Sequence, residues 1–337
     1  MDCGPASLKC LLDGHGVHVS FGRLREACQT DADGTSIDAL EDVANQLGLE
    51  AEQVMVPAEH LLLAAADMLP ALAVVRLPSG LTHFVVLWRR AGGLLQVMDP
   101  GTGRRWSSVG EVARALYIHE MPVPAAEWRR WAAEEEFLLP LRVRIRDLGV
   151  RPPEIEKLIE AARADPGWRP LAALEGAIRM TRAMCEVRAV RRGKEAARLL
   201  QALFTRSRGG PGQEHANAIP AAYWTARGAE PDEEGREQVM LRGAVALRVR
   251  GLVAAPLRDR RMGGTPDLSG PGSSSGGEAG RIEAGPGGRG HPVEQPAPGA
   301  PMTATSQLPA DSAPAEEGRS PPLSPELLAA LSEAPPR

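Results

Sequence analysis

Cysteine is scarce in this 337-residue chain: Cys3, Cys10, Cys28 and Cys185 form no CxxC pair and no regular framework. This speaks against a secreted disulfide fold and fits a reducing compartment. No one-sided charge excess exists either. A formal net charge of −4 leaves no bulk basic character to suggest a nucleic-acid partner. The most apolar stretch, Leu61 to Val75, is too short to span a bilayer and contains Asp67 and Pro70. It reads as a buried helix followed by a core strand. No signal peptide, internal repeat or GxxxxGK[ST] phosphate loop occurs, since Arg192-Gly193-Lys194 lacks a glycine-rich lead-in and is followed by Glu195. His15-Gly16-Val17-His18 follows Gly14, which ends a helical pattern, without an evident carboxylate or thiolate partner, so no metal and no cofactor is expected.

What the chain does have begins at once. In Met1-Asp2-Cys3-Gly4-Pro5-Ala6-Ser7-Leu8, Asp2 is placed to cap a first turn, Pro5 suits an early helical position, and Ala6 to Leu12 reads as helix. Cys3 then stands at the positive end of a helix, where the unpaired N–H groups favour a thiolate over a thiol. Gly4 would let a substrate backbone approach closely. Most lone cysteines are simply packed as small hydrophobes, so this position alone identifies nothing.

Two strands far downstream add the partners. Thr82 to Trp88 and Leu94 to Asp99, joined across Gly92-Gly93, read as a β-hairpin. If Arg90 pairs with Leu94, Val85 faces Asp99 and His83 becomes its diagonal same-face neighbour, at about 7–8 Å between Cα atoms. A bulge would slip that register by one. Cys3, His83 and Asp99 are therefore the candidate catalytic residues: nucleophile, general base and acid, and orienting carboxylate. Taken singly, His83 is a strand histidine and Asp99 the head of a common Asp-Pro-Gly turn.

The Asp-Cys-Gly-Pro-Ala-Ser-Leu start, the Thr-His-Phe-Val-Val-Leu strand with its histidine 80 residues after Cys3, and the Asp-Pro 16 residues later resemble the bacteriocin-processing cysteine peptidases. The resemblance covers residues 1–122 and includes a helix introduced by Asp33-Gly34-Thr35-Ser36, with Ile37, Leu40, Val43, Ala44 and Leu47 on its apolar face. It implies a papain-like α+β domain, N-terminal helices packed on an antiparallel sheet. It further implies a thiol protease that removes double-glycine-type leaders from ribosomally made precursor peptides. Such domains usually form the N-terminal, cytosolic part of ABC exporters. This sequence shows neither membrane helices nor a phosphate loop, so a separate exporter is the expected partner, holding a cytoplasmic protein at the inner face of the membrane. The family also carries a glutamine a few residues before the nucleophile, lining the oxyanion hole. Met1 stands too close to Cys3 to leave room for it, and Gln29, Gln46 and Gln53 cannot be assigned to the role. Loss of such a donor costs on the order of 100- to 1,000-fold in rate. The expectations are thus a true start upstream of Met1, or a catalytically impaired module that binds leaders for an exporter. Another papain-like amide hydrolase or acyltransferase is the third reading.

Residues 125–255 are rich in Arg, Ala, Leu and Glu and read as a mainly helical accessory region of unassigned role. Helical spacing runs over Glu127–Phe137, Pro153–Ala164 and Leu171 to about Thr205, with a break near Gly193. Leu141–Ile145 and Val239–Val253 alternate as half-buried strands do. The arginine runs Arg142, Arg144, Arg146 and Arg188, Arg191, Arg192 read as solvated faces. From Gly263 the composition collapses to Gly, Pro, Ser, Ala and Glu, so residues 263–337 are expected to be disordered, with a short terminal helix begun at Ser324-Pro325-Glu326.

Overall fold

The computed structural model describes residues 2–31, 34–209 and 218–253. The expected disordered tail and its terminal helix lie outside them. The first stretch of elements is α1 (Cys3–Gly14), α2 (Phe21–Ala27), α3 (Ile37–Gln46), β1 (Leu49–Val56), α4 (Ala58–Leu61), β2 (Ala71–Arg76), β3 (Thr82–Ala91), β4 (Leu94–Asp99), β5 (Gly103–Ser108), α5 (Val109–Ala115) and β6 (Ile118–Pro124). There follow α6 (Ala125–Ala132), α7 (Glu135–Asp147), α8 (Pro152–Arg163), α9 (Arg169–Glu186), α10 (Lys194–Ser207), β7 (Ala226–Ala229) and β8 (Gln238–Leu252).

Local chemistry sets many of these boundaries. Ser36 caps α3 by accepting the Ala39 N–H at 3.1 Å, and Ile37, Leu40, Val43 and Ala44 are buried on the face the sequence predicts. Gly48, at φ +88°, turns the chain from α3 into β1 with a backbone that other residues adopt at a cost. Ser108 and Glu111 form a reciprocal capping box at the start of α5.

The α+β class expected from sequence is the class observed. All strand pairs are antiparallel, and the sheet runs β1-β8-β2-β3-β4-β5. α1 packs on β3, β4 and β2, and α3 packs on β1. The sheet does not stop at the boundary expected near residues 122–125. β8 lies between β1 and β2, with Val54 and Ala73 both facing Ala246 from opposite edges. Its first half pairs with β6 through Val123↔Val239 and with β7 through Gly228↔Val239. Where β1 ends against β8 the backbones come very close: a Cβ on Gly243 would sit 2.8 Å from the Val56 carbonyl oxygen.

Three local expectations need correction. Leu141–Ile145 is not a strand but part of α7. Phe137, Leu141 and Ile145 recur every four residues on its buried side, and that spacing prevails over the shorter two-residue alternation. The helix expected in the Leu61–Val75 stretch is only the single turn of α4 and a 3₁₀ turn at Ala64–Ala66; the expected strand is β2. Arg144 is no solvated residue: it is 3% exposed and bonds Glu175 at 2.9 Å.

That last pair belongs to a polar network joining α4 to the helices that follow. Arg144 also lies 3.1 Å from His60 Nε2, and Arg179 grips both carboxylate oxygens of Glu59 at 2.8 Å. Thr225 Oγ1 donates to the second oxygen of Glu175 at 2.9 Å. On β8, Arg248 bonds Glu52 of β1 at 2.7 Å and Glu136 of α7. Trp128, Trp131 and His60 gather around Phe137, at ring separations of 4.9–6.0 Å. Buried charges of both signs thus tie α4 and β1 to α7 and α9, and each has its counter-charge within hydrogen-bond reach.

Candidate active site

Cys3 is the first residue of α1 and is half-buried. Asp2 occupies the capping position as expected, but its side chain does not cap. Its carboxylate instead accepts from Arg25 Nε at 2.7 Å, and that bond holds its pKa below the usual carboxylate range. The backbone N–H groups of Cys3 and Gly4 are therefore left uncapped by Asp2 at the positive end of the helix, where an anion is favoured. Gly4 has a packing role that differs from the expected one. It is buried, and a Cβ there would lie 3.0 Å from Thr35 Cβ and 3.3 Å from Leu40 Cδ1, so it lets α1 close onto α3.

Ser7 anchors α1 to β3, its Oγ donating to the Phe84 carbonyl at 3.1 Å in a buried setting. Ser7 is one helical turn from Cys3 on the same face, and Phe84 is the neighbour of His83. The Cys3 face of α1 is thereby directed at the start of β3. Among the described residues no hydrogen bond joins Cys3 to His83.

His83 and Asp99 are brought together. His83 Nε2 lies 2.9 Å from Asp99 Oδ1, with the two side chains 15% and 9% exposed. The register that achieves this differs at the turn from the expected one: Ala91, not Arg90, pairs with Leu94. Continued straight, that ladder would set Val86 opposite Asp99 and send His83 to the other face of the sheet. The ladder instead shifts between Leu87 and Arg89, leaving Trp88 as an extra residue in β3, so that Val86 faces Met98 and the continuation sets Val85 against Asp99. The bulge returns His83 to the face on which Asp99 stands. Trp88 itself packs on the end of α1, where a Cβ on Gly14 would fall 2.0 Å from its ring.

Asp99 is held at both oxygens. Besides His83, Oδ1 accepts the Gly101 N–H at 2.8 Å, and Oδ2 accepts from Arg105 Nη1 at 2.9 Å. Burial alone would raise its pKa, but the bonds from Arg105, His83, Gly101 and Thr102 prevail and keep the carboxyl far below the usual range. Sequence reasoning missed Arg105 and Trp88. A signal for Arg105 was present, since a hairpin turning at Gly103 sets Asp99 against Gly103 and Arg105 two positions further along the neighbouring strand, a diagonal neighbour.

The other thiols are in different surroundings. Burial pushes Cys28 up to about 11, and burial also raises Cys10 and Cys185. His18 lies 3.4 Å from Asp13, and no group of three or more metal-ligating side chains occurs among the described residues. Beside α1, Lys9, Asp13, Trp88, Met98 and Arg104 border an open groove of about 570 Å³. No helix among the described residues is long and apolar enough to cross a membrane.

The sequence is similar to several known proteins. The lactococcin-G-processing and transport ATP-binding protein of Lactococcus lactis subsp. lactis is 28% identical over 130 residues, 38% of this chain and 18% of that protein. The pediocin PA-1 transport/processing ATP-binding protein of Pediococcus acidilactici is 32% identical over 99 residues, 29% of this chain and 14% of that one. This chain therefore spans less than a fifth of the length of these relatives. Among solved structures, a double glycine motif protease from an AMS/PCAT transporter, crystallised with its leader peptide, aligns at 26% identity and TM-score 0.29, covering 34% of this chain and 76% of the other. The stretch that holds Cys3, His83 and Asp99, residues 1–115, matches the peptidase C39 family.

Proposed function

We propose that this protein is a cysteine peptidase that removes double-glycine-type leaders from precursor peptides, with Cys3, His83 and Asp99 as a papain-like triad. The observation that carries the reading is the bond to a doubly held Asp99 from His83, which lies on β3, the strand to which α1, with Cys3 at its tip, is anchored. With Nε2 turned to Asp99, the ring nitrogen free to serve Cys3 is Nδ1. His83 takes the thiol proton and the thiolate adds to the scissile carbonyl carbon. The resulting oxyanion meets the open N–H groups at the start of α1. The imidazolium then protonates the leaving amine, giving a thioester on Cys3. Water, deprotonated by His83, hydrolyses the thioester and frees the leader. The names of the relatives join processing to transport, so we place a separate exporter beside this chain as its partner.

The test incubates the full chain and its Cys3→Ala variant with a precursor peptide bearing such a leader. Cleavage by the parent and none by the variant supports the reading; equal cleavage by both overturns it. A second reading, a leader-binding module without turnover, draws on the absence of a Cys3–His83 hydrogen bond. It requires equal leader binding by both proteins and cleavage by neither.

A further inference from the structure

We propose that Arg105 is a positioning residue of this site, fixing the Asp99 carboxylate by its second oxygen and sharing its charge with His83; the inference rests on the triad reading above. Arg105 reaches Asp99 Oδ2 at 2.9 Å with the same nitrogen that meets Thr102 Oγ1 at 2.8 Å, so the guanidinium is tied at two points across the β4–β5 turn. Asp99 Oδ1 is left to His83 and the Gly101 N–H. A carboxylate gripped on both oxygens is held against rotation about its Cβ–Cγ bond, and so is the direction from which it meets the imidazole.

The electrostatic consequence is separable from the geometric one. A lone buried carboxylate beside a histidine stabilises the imidazolium and raises the pH at which its proton leaves. A guanidinium on the far side of that carboxylate opposes this, because the anion is already half-neutralised and a second positive charge stands nearby. Arg105 therefore sets how much of the Asp99 charge is left to meet the imidazolium formed during the reaction. The other charged or titratable side chains on the elements around His83 do not duplicate this. On α1, Lys9 and Asp13 pair with each other at 2.8 Å, while Cys3 and Cys10 are thiols. On β2, Arg76 stacks over Tyr117. On β5, Arg104 pairs with Met98 in register, on the alternate face from Asp99. On α5, Glu111 caps its own helix with Ser108, and Arg114 Nε donates to the Gly110 carbonyl. Arg89 and Arg90 lie at the opposite end of β3, bonded to Gln96 and to the Leu62 carbonyl.

The experiment titrates the ring signals of full-length protein labelled at histidine, with His83 assigned through His83→Gln, in the parent, Arg105→Gln and Arg105→Lys. Gln keeps an N–H donor and removes the charge; Lys keeps the charge and removes the planar fork. The expected result is a His83 midpoint higher in Arg105→Gln than in the parent, returned most of the way in Arg105→Lys, with the difference narrowed by molar salt because Arg105 is half exposed. The low-pH limb of kcat/KM for precursor cleavage, where His83 must be unprotonated to take the Cys3 proton, moves up with it in Arg105→Gln. An unchanged midpoint in Arg105→Gln with native circular dichroism overturns the proposal, as does an equal shift in Arg105→Lys. Failure of the triad reading shows separately, as cleavage by Cys3→Ala, while the titration still reports whether Arg105 acts on His83.

Discussion

At the level of single residues, Cys3, His83 and Asp99 differ in how replaceable each is. Cys3→Ala removes the atom that forms the covalent intermediate, so turnover is expected to vanish in a precursor-cleavage assay. His83→Ala removes both proton transfers and is expected to come close to the same loss. Asp99→Asn is expected to lose less, because the nucleophile and the base remain and only orientation and charge are weakened. A normal rate for His83→Ala sinks the assignment. That His83 and Asp99 come together was legible in the sequence, from the alternation of the two strands that carry them. Arg105 was harder to read: its diagonal place beside Asp99 follows from the hairpin register, but an arginine on an exposed strand looks like any other solubilising charge until that register is known. The Asp2 side chain was misread for a related reason: capping is a local expectation, and Arg25, 23 residues away, competes for the same oxygens.

Helices and strands pass positional information that no single residue holds. The hairpin was readable from alternation and Gly92-Gly93, yet its register at the turn was not, and two departures from the simple ladder cancel to set His83 on the face of Asp99. Gly14→Ala tests that device from outside the triad. Its methyl would collide with the Trp88 ring, and overpacking of this kind costs about 1–3 kcal/mol. Urea unfolding should show that loss, and cleavage should fall further than stability alone explains as the bulge is pushed aside. Parent-like values in both measurements would show that the ring simply moves.

The α4 network makes a second prediction, in acid. Burial and then Arg144 push the pKa of His60 well below its ordinary value, so His60 is neutral when folded and takes a proton when unfolded as pH falls below about 6.5. For Glu59, burial raises the pKa but Arg144 and Arg179 lower it further, to about 2, so its contribution is complete above about 4.5 and lost as pH falls toward 2. Both effects have the same sign. Stability should decline from about pH 6.5 downward, and His60→Gln should flatten the first part of that decline in denaturant midpoints; an unaltered slope would discount His60.

For the molecule as a whole, the division into a peptidase and a helical remainder was an inference from composition, and composition is blind to which strand completes a sheet. β8 was readable as a strand; that it separates β1 from β2 was not, because pairing across some 200 residues leaves no local trace. A chain ending at Pro124 would leave β1 without its ladder, since β1 pairs with β8. Such a fragment is expected to lack cooperative unfolding and to cleave nothing; a folded, active fragment would show that β8 is dispensable. The placement of β8 also bears on synthesis. A growing chain already holds Cys3, His83 and Asp99 long before Leu252 has been added. Until then the sheet has a gap where its long strand belongs, and the helices that follow Pro124 have only a partial surface to dock on. On the proposed reading, a nascent or prematurely terminated product is expected not to cleave, because the candidate site is complete only once translation has passed the strand that closes the sheet.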